Sequence, residues 1–131
     1  MTDLTGRKPI LCLDFDGVCH SYVSGWKGAA IIPDPPVEGM WGFLREAVEV
    51  FEVNIFSSRS HQEGGLDAMK TWFQVVAESP SDVLLVMDKL KFPLEKPPAL
   101  VGIDDRVIQF KGEWPGIGFL RNFKPWNAKE V

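Results

Sequence analysis

Residues 10–20 read ILCLDFDGVCH, and this stretch decides the fold. A short apolar run ends on two acids one residue apart, Asp14 and Asp16, with Phe15 between them and Gly17 just after. A run of that length, apolar throughout, suits a strand covered on both faces. Strands of this kind belong to parallel sheets, and such sheets collect ligands at the carboxyl ends of their strands. Working outward, the pattern recurs. Residues 37–51 place Val37, Met40, Trp41, Phe43, Leu44, Ala47, Val48 and Phe51 at helical spacing. VNIF at 53–56 is a second buried run, and residues 64–77 repeat the helical spacing with Leu66, Met69, Trp72, Phe73 and Val76. VLLVM (83–87), ALVGI (99–103) and GIGFL (116–120) supply a third, fourth and fifth run.

The alternation predicts an α/β protein: a mostly parallel five-stranded sheet with helices on both faces. At 131 residues the chain reads as a single domain, 1–131, with room for a real core. Its 45% hydrophobic content is too high for disorder. A net charge of −4 gives no broad attraction to nucleic acid or to an anionic membrane. No run reaches membrane-spanning length, and the opening MTDLTGRKP lacks the apolar core of a signal peptide. Two cysteines, Cys12 and Cys19, suggest neither a disulfide framework nor a zinc site. Cys12 reads as a small core residue, and a reducing cytoplasm is the expected location. Trp41 and Trp72 lie on the apolar helical faces and are expected in the core. Trp114 and Trp126 are expected to pack within the C-terminal segment, and His20 and His61 read as loop residues.

The strand ends carry the polar residues. Asp14 and Asp16 follow the first strand, SSRS (57–60) follows the second, and DDR (104–106) follows the fourth. In a parallel sheet these clusters share one edge. Crowded carboxylates repel one another unless a cation sits among them. A hard divalent cation with oxygen ligands resolves the repulsion, and Mg²⁺ suits a site that keeps waters and a phosphate oxygen. A hydroxyl, an arginine and a lysine nearby would complete a phosphate cradle.

In order and spacing, DFDGV, a strand running into FSSR, a lysine, and GIDDR resemble the four motifs of the haloacid dehalogenase superfamily of phosphohydrolases. The match runs over roughly residues 8–120. KPPALVGIDDRVIQFKGEWP is similar to small bacterial and phage members, some of which resemble the phosphatase part of polynucleotide kinases. The resemblance implies a Rossmann-like core and a Mg²⁺-dependent phosphomonoesterase. Asp14 would be the nucleophile that forms an aspartyl-phosphate. Asp16 would be the general acid/base, with its backbone carbonyl on the metal. Ser57 would bind the phosphoryl group, with Ser58 the competing hydroxyl. Asp104 would hold Mg²⁺, with Asp105 as a second ligand or its support. Lys96 is the preferred active-site lysine and Lys91 the runner-up, with Lys89 a third candidate.

Chemistry suits these roles. A carboxylate nucleophile splits one hard displacement into two easier ones. The leaving alkoxide needs a proton, and a dense acidic site raises one carboxyl pKa, a property expected of Asp16. Gly17 permits the tight loop that brings backbone to the phosphate. Residues 20–36, rich in Gly, Pro and Ser, fall where larger members insert a cap domain, and are long enough only for a flap. Its tip, Trp26 between Gly25 and Gly28, either grips the leaving group or packs back onto the domain. Arg59 either touches substrate or lies on the surface. An open site admits a phosphorylated small molecule or a phosphorylated polynucleotide end. Two other classes compete: a phosphate-binding or regulatory module without turnover, and a phosphoacceptor receiver domain. The latter places its acceptor aspartate after a middle strand, which is the wrong order here.

Overall fold

The computed structural model describes residues 6–128; residues 1–5 of the opening segment and 129–131 of the expected domain lie outside the described residues. Three parallel strands, β1 (Ile10–Leu13), β2 (Glu52–Ile55) and β3 (Val101–Ile103), form a sheet in the order β2-β1-β3. Leu11 stands opposite Val53 on one side and Val101 on the other, and Leu13 opposite Ile55 and Ile103. Because side chains alternate along a strand, this register puts Leu11, Leu13, Val53 and Ile55 on one face, where all four are buried.

That face is covered by α1 (Met40–Val50) and α2 (Gly65–Val75). In α1 the buried residues are Met40, Trp41, Leu44, Ala47 and Val48. They form one helical stripe, with Arg45, Glu46 and Glu49 turned outward. In α2 Met69, Trp72 and Phe73 do the same work. The two helices meet through Trp41, whose indole N–H donates to the Val76 carbonyl at 3.0 Å and whose ring meets Phe73 edge-on. Trp41 and Trp72 are core residues, as their spacing predicted.

The expected arrangement of helices on both faces needs correction. α1 and α2 join the same core cluster. The opposite face carries Ile10, Cys12, Glu52, Asn54 and Gly102 by register. Cys12 is half-buried there and lines an open cleft of about 800 Å³ with Lys96, Leu100 and Asp104.

Two of the five expected strands are also absent among the described residues. Residues 83–87 form part of a π-helical turn, Asp82–Val86, and a following 3₁₀ turn, Met87–Lys89. The edge of β2 is taken by a single residue, Lys91, which donates from its N–H to Val53 and accepts from Ile55. The turn is anchored by Asp82, which accepts two bonds from Arg45 and one from the Glu78 N–H. Leu84 and Leu85 are left exposed. Residues 116–120 fall in a short helix, α3 (Ile117–Arg121). β3 pairs only with β1 among the described residues, but residues 116–120 do not take its free edge, so their backbone groups need other partners. A helical turn satisfies them locally, through Leu120 N–H to Gly116 and Asn122 N–H to Gly118. The protein is therefore α/β with a three-stranded, all-parallel sheet. No helix of the described residues is long and apolar enough to cross a membrane.

Candidate active site

Asp14 sits at the carboxyl end of β1, its N–H donating to Ile103 of β3. Phe15 then turns fully into the core, where Trp72 and Phe73 meet its ring edge-on and His20 stacks on it. The anchored Phe15 forces its two neighbours outward, which is the physical reason for an acid–Phe–acid order. The chain closes at once: the N–H groups of Val18, Cys19 and His20 all converge on the Phe15 carbonyl, and the Gly17 N–H returns to His20.

Asp104 and Asp105 follow β3, the strand beside β1, so the sheet brings them to Asp14. One carboxylate oxygen from each of the three lies within 4.8 Å of the others. Asp104 also accepts from the Arg106 N–H at 2.8 Å. Asp105 is the most telling member. Its side chain is 2% exposed, and neither carboxylate oxygen has a hydrogen-bond donor other than the proton that Asp14 itself can carry. Arg106 approaches one of them only to 3.9 Å, too far for a hydrogen bond. The Asp14 carboxyl is pushed up to about 8, by burial first and then by the Asp104 charge, with Asp105 adding to the rise. The Phe15 N–H bond to Asp14 opposes the rise without cancelling it. Buried, donorless oxygens facing two further carboxylates are what a bound oxygen-loving cation would complete. The three aspartates are residues that could hold a hard divalent cation such as Mg²⁺.

Asp16 behaves oppositely, and the expected raised pKa for this residue is wrong. Burial alone would raise it, but hydrogen bonds from His20 and Arg59 outweigh burial and hold the carboxyl below its usual value. The distances are 2.9 Å from His20 Nδ1 to Oδ1 and 2.8 Å from Arg59 Nε to Oδ2. The raised group is Asp14, because it faces acids while Asp16 faces a cation. Asp16 contributes no side-chain oxygen to the three-aspartate cluster.

Ser57 lies two residues past the end of β2, on the side of Asp14, since the Phe56 N–H donates to Leu13. It is buried and caps the 3₁₀ turn Ser58–His61, its Oγ accepting from the Arg59 N–H at 3.1 Å. Ser58 is exposed. Arg59 is neither a surface residue nor open to solvent: it is fully buried, donating to Asp16 and, through Nη1, to the carbonyls of Gly28, Ala29 and Ile31. Trp26 lies over it, the guanidinium carbon 4.6 Å from the ring centroid, and stays half-exposed. Lys96 shares a cleft with Asp104 and Cys12. Lys91 and Lys89 are elsewhere, paired with Glu52 at the start of β2 and Glu49 of α1.

Two contributors escaped the sequence reading. His20, read as a loop residue, is completely buried and bonded on both ring nitrogens. Its only signal was its place four residues beyond Asp16. Trp126, expected to pack with the C-terminal segment, is largely exposed, yet its indole N–H donates to the Gly17 carbonyl at 2.8 Å. Asn127 donates to the Ser21 carbonyl, so the chain's end straps the loop that starts at Asp14. Trp114 does meet Phe110 of the C-terminal segment, ring centroids 5.0 Å apart, but stays almost fully exposed.

Gly17 yields a first prediction. Its φ is +83°, and a Cβ placed there would collide with Asp105 Oδ2. Gly17→Ala is expected to cost about 1–3 kcal/mol of stability and to push Asp105 off its position. A thermal melt together with a metal titration checks this; an unchanged melt and titration contradict it. No family model, curated protein or solved structure matches the chain.

Proposed function

We propose that this protein is a Mg²⁺-dependent phosphomonoester hydrolase of the haloacid dehalogenase type, with a Rossmann-like core and a flap in place of a cap domain. The observation that supports it best is the convergence of Asp14, Asp104 and Asp105 with both oxygens of a buried Asp105 left without a donor. Asp16, separated from Asp14 by Phe15 alone, is held apart from them. That division gives one carboxylate to attack and another to handle the proton.

Asp14, Asp104 and Asp105 would hold the ion, with the Asp16 backbone carbonyl as a further oxygen. Bound there, it would offset the charge of Asp14 and of the incoming phosphate. The Asp14 carboxylate attacks phosphorus and the bond to the leaving oxygen breaks. Asp16 gives its proton to the departing alkoxide. Water then attacks the aspartyl-phosphate, its proton passes to Asp16 and on to the departing inorganic phosphate, and both Asp14 and Asp16 are restored as carboxylates. Because Asp16 rests as an anion, its proton must arrive with the substrate; a phosphomonoester, whose second pKa is near 6, carries one as its monoanion. Ser57 would bind the phosphoryl group, and Lys96 would supply the ammonium that neutralises it.

The substrate is a phosphorylated small molecule or a phosphorylated polynucleotide end. The test is a panel of phosphorylated metabolites, 5′- and 3′-phosphorylated oligonucleotides and an aryl phosphate, each with Mg²⁺ and with a chelator. Metal-dependent phosphate release supports the proposal. Its absence throughout the panel favours the second reading, a phosphate-binding module without turnover, for which the anionic, doubly bonded Asp16 is the supporting observation. Within the panel, Lys96→Ala should lower kcat/KM by roughly 10²-fold or more, while Lys91→Ala and Lys89→Ala stay near wild type. The reverse ranking would assign the role to another lysine.

A further inference from the structure

Every donor to Asp16 is itself held by the flap, residues 20–36. His20 Nε2 accepts the Asp34 backbone N–H at 3.1 Å. A nitrogen that accepts carries no proton, so the ring's proton is on Nδ1, where it points at Asp16 Oδ1. The Asp34 carboxylate lies 3.6 Å from Nε2, but it is already engaged by the Ser24 N–H and hydroxyl. Asp34 is fixed further by the Trp72 indole, which donates to its carbonyl. On the other side, Arg59 Nη1 is gripped by three flap carbonyls, and Trp26 covers the guanidinium. Both oxygens of Asp16 are thus set by groups that the flap orients.

We propose that the flap is a positioning device for Asp16, in which His20, locked by the Asp34 N–H into its Nδ1–H form, and Arg59, wrapped by residues 28–31, aim the Asp16 carboxyl at the leaving oxygen. This rests on the hydrolase reading above and deepens it: His20 and Arg59 act through Asp16 and touch no reacting atom. It also assigns Trp26 a different task from gripping substrate, namely covering Arg59. A buried histidine that merely fills the core would serve stability alone. The positioning role makes a different demand: an N–H at the Nδ1 location.

The experiment compares His20→Asn, whose amide N–H reaches about as far as Nδ1, with His20→Phe, which keeps a flat ring against Phe15 but has no donor. Each is assayed on an alkyl phosphate, whose leaving group needs the proton, and on 4-nitrophenyl phosphate, whose leaving group does not. His20→Phe should lower alkyl-phosphate turnover by about 10²-fold with little change on the aryl substrate, and His20→Asn should restore most of the loss. Arg59→Lys, which keeps the charge but loses the fork, should show the same selectivity for alkyl substrates and serves where His20→Phe does not fold. Nitrogen NMR of the wild-type ring should show protonation at Nδ1 only. Equal losses on both substrates, no rescue by Asn, or a proton on Nε2 would overturn the positioning role while leaving the hydrolase intact. A wild-type protein that hydrolyses nothing overturns both.

Discussion

Asp14→Asn is expected to reduce phosphomonoester turnover by roughly 10⁴-fold or more, without loss of fold and with a gain in stability of the metal-free protein above neutral pH. The first half follows from chemistry: an amide oxygen is a poor nucleophile, and no other carboxylate is placed to substitute. Asp16 is tied to His20 and Arg59, while Asp104 and Asp105 leave from a different strand end. The second half follows from electrostatics. The Asp14 carboxyl is pushed up to about 8 because it is buried against Asp104 and Asp105, so ionising it costs folding free energy. Asparagine stays neutral, can still accept the Phe15 N–H, and offers an N–H to the donorless Asp105 oxygens. Steady-state kinetics and thermal melts at pH 8.5 without metal test both halves together. Near-wild-type rates would remove Asp14 as nucleophile. Lost activity with a collapsed melt would mean that the residue is structural.

The sequence made the acidic edge legible because the relevant residues are adjacent to strands that announce themselves. ILCL and ALVGI are apolar runs, and their last residues hand directly over to Asp14 and Asp104. Sheet register then does the rest, since neighbouring parallel strands end at the same level. The helices were legible for a similar reason, as each buries one complete stripe. The weaker segments were not. Residues 83–87 and 116–120 are apolar enough for strands, but whether such a run extends depends on an open sheet edge, which is a property of the assembled fold. At 83–87 the decisive groups were Asp82 and Arg45, 37 residues apart. Asp16 shows the same limit in the site. Its acidic neighbours in sequence suggested a raised pKa, but its partners in space are His20 and an arginine 43 residues away. The strap from Trp126 to Gly17 spans 109 residues and left no local trace.

The pH dependence of metal binding provides the second large effect. Without metal, the folded-state pKa of the Asp14 carboxyl is pushed up to about 8, against the ordinary aspartate value of 3.8. Between these values the folded protein holds a proton that the unfolded chain has released. The stability from this group is therefore fully present below about pH 4 and is lost as pH rises through 8. Melts of the metal-free protein should decline across that window in proportion to this contribution, and the Asp14→Asn variant should not share the decline. Mg²⁺ bound at this site would reverse the order, because it would require deprotonated carboxylates and would displace the proton held by Asp14. One proton released per ion bound makes the apparent affinity rise about tenfold per pH unit, levelling off above pH 8. Stabilisation by a fixed Mg²⁺ concentration should thus be small at pH 6 and large at pH 8.5. Asp105→Asn removes the carboxylate whose two oxygens lack any donor. It should weaken Mg²⁺ binding by about 10–100-fold while leaving the metal-free fold at least as stable, since a buried charge is gone. Calorimetric titration at several pH values measures both the affinity and the proton release. A melt that ignores Mg²⁺ at every pH, or an Asp105→Asn protein that binds Mg²⁺ as tightly as wild type, would take the metal away from these three aspartates.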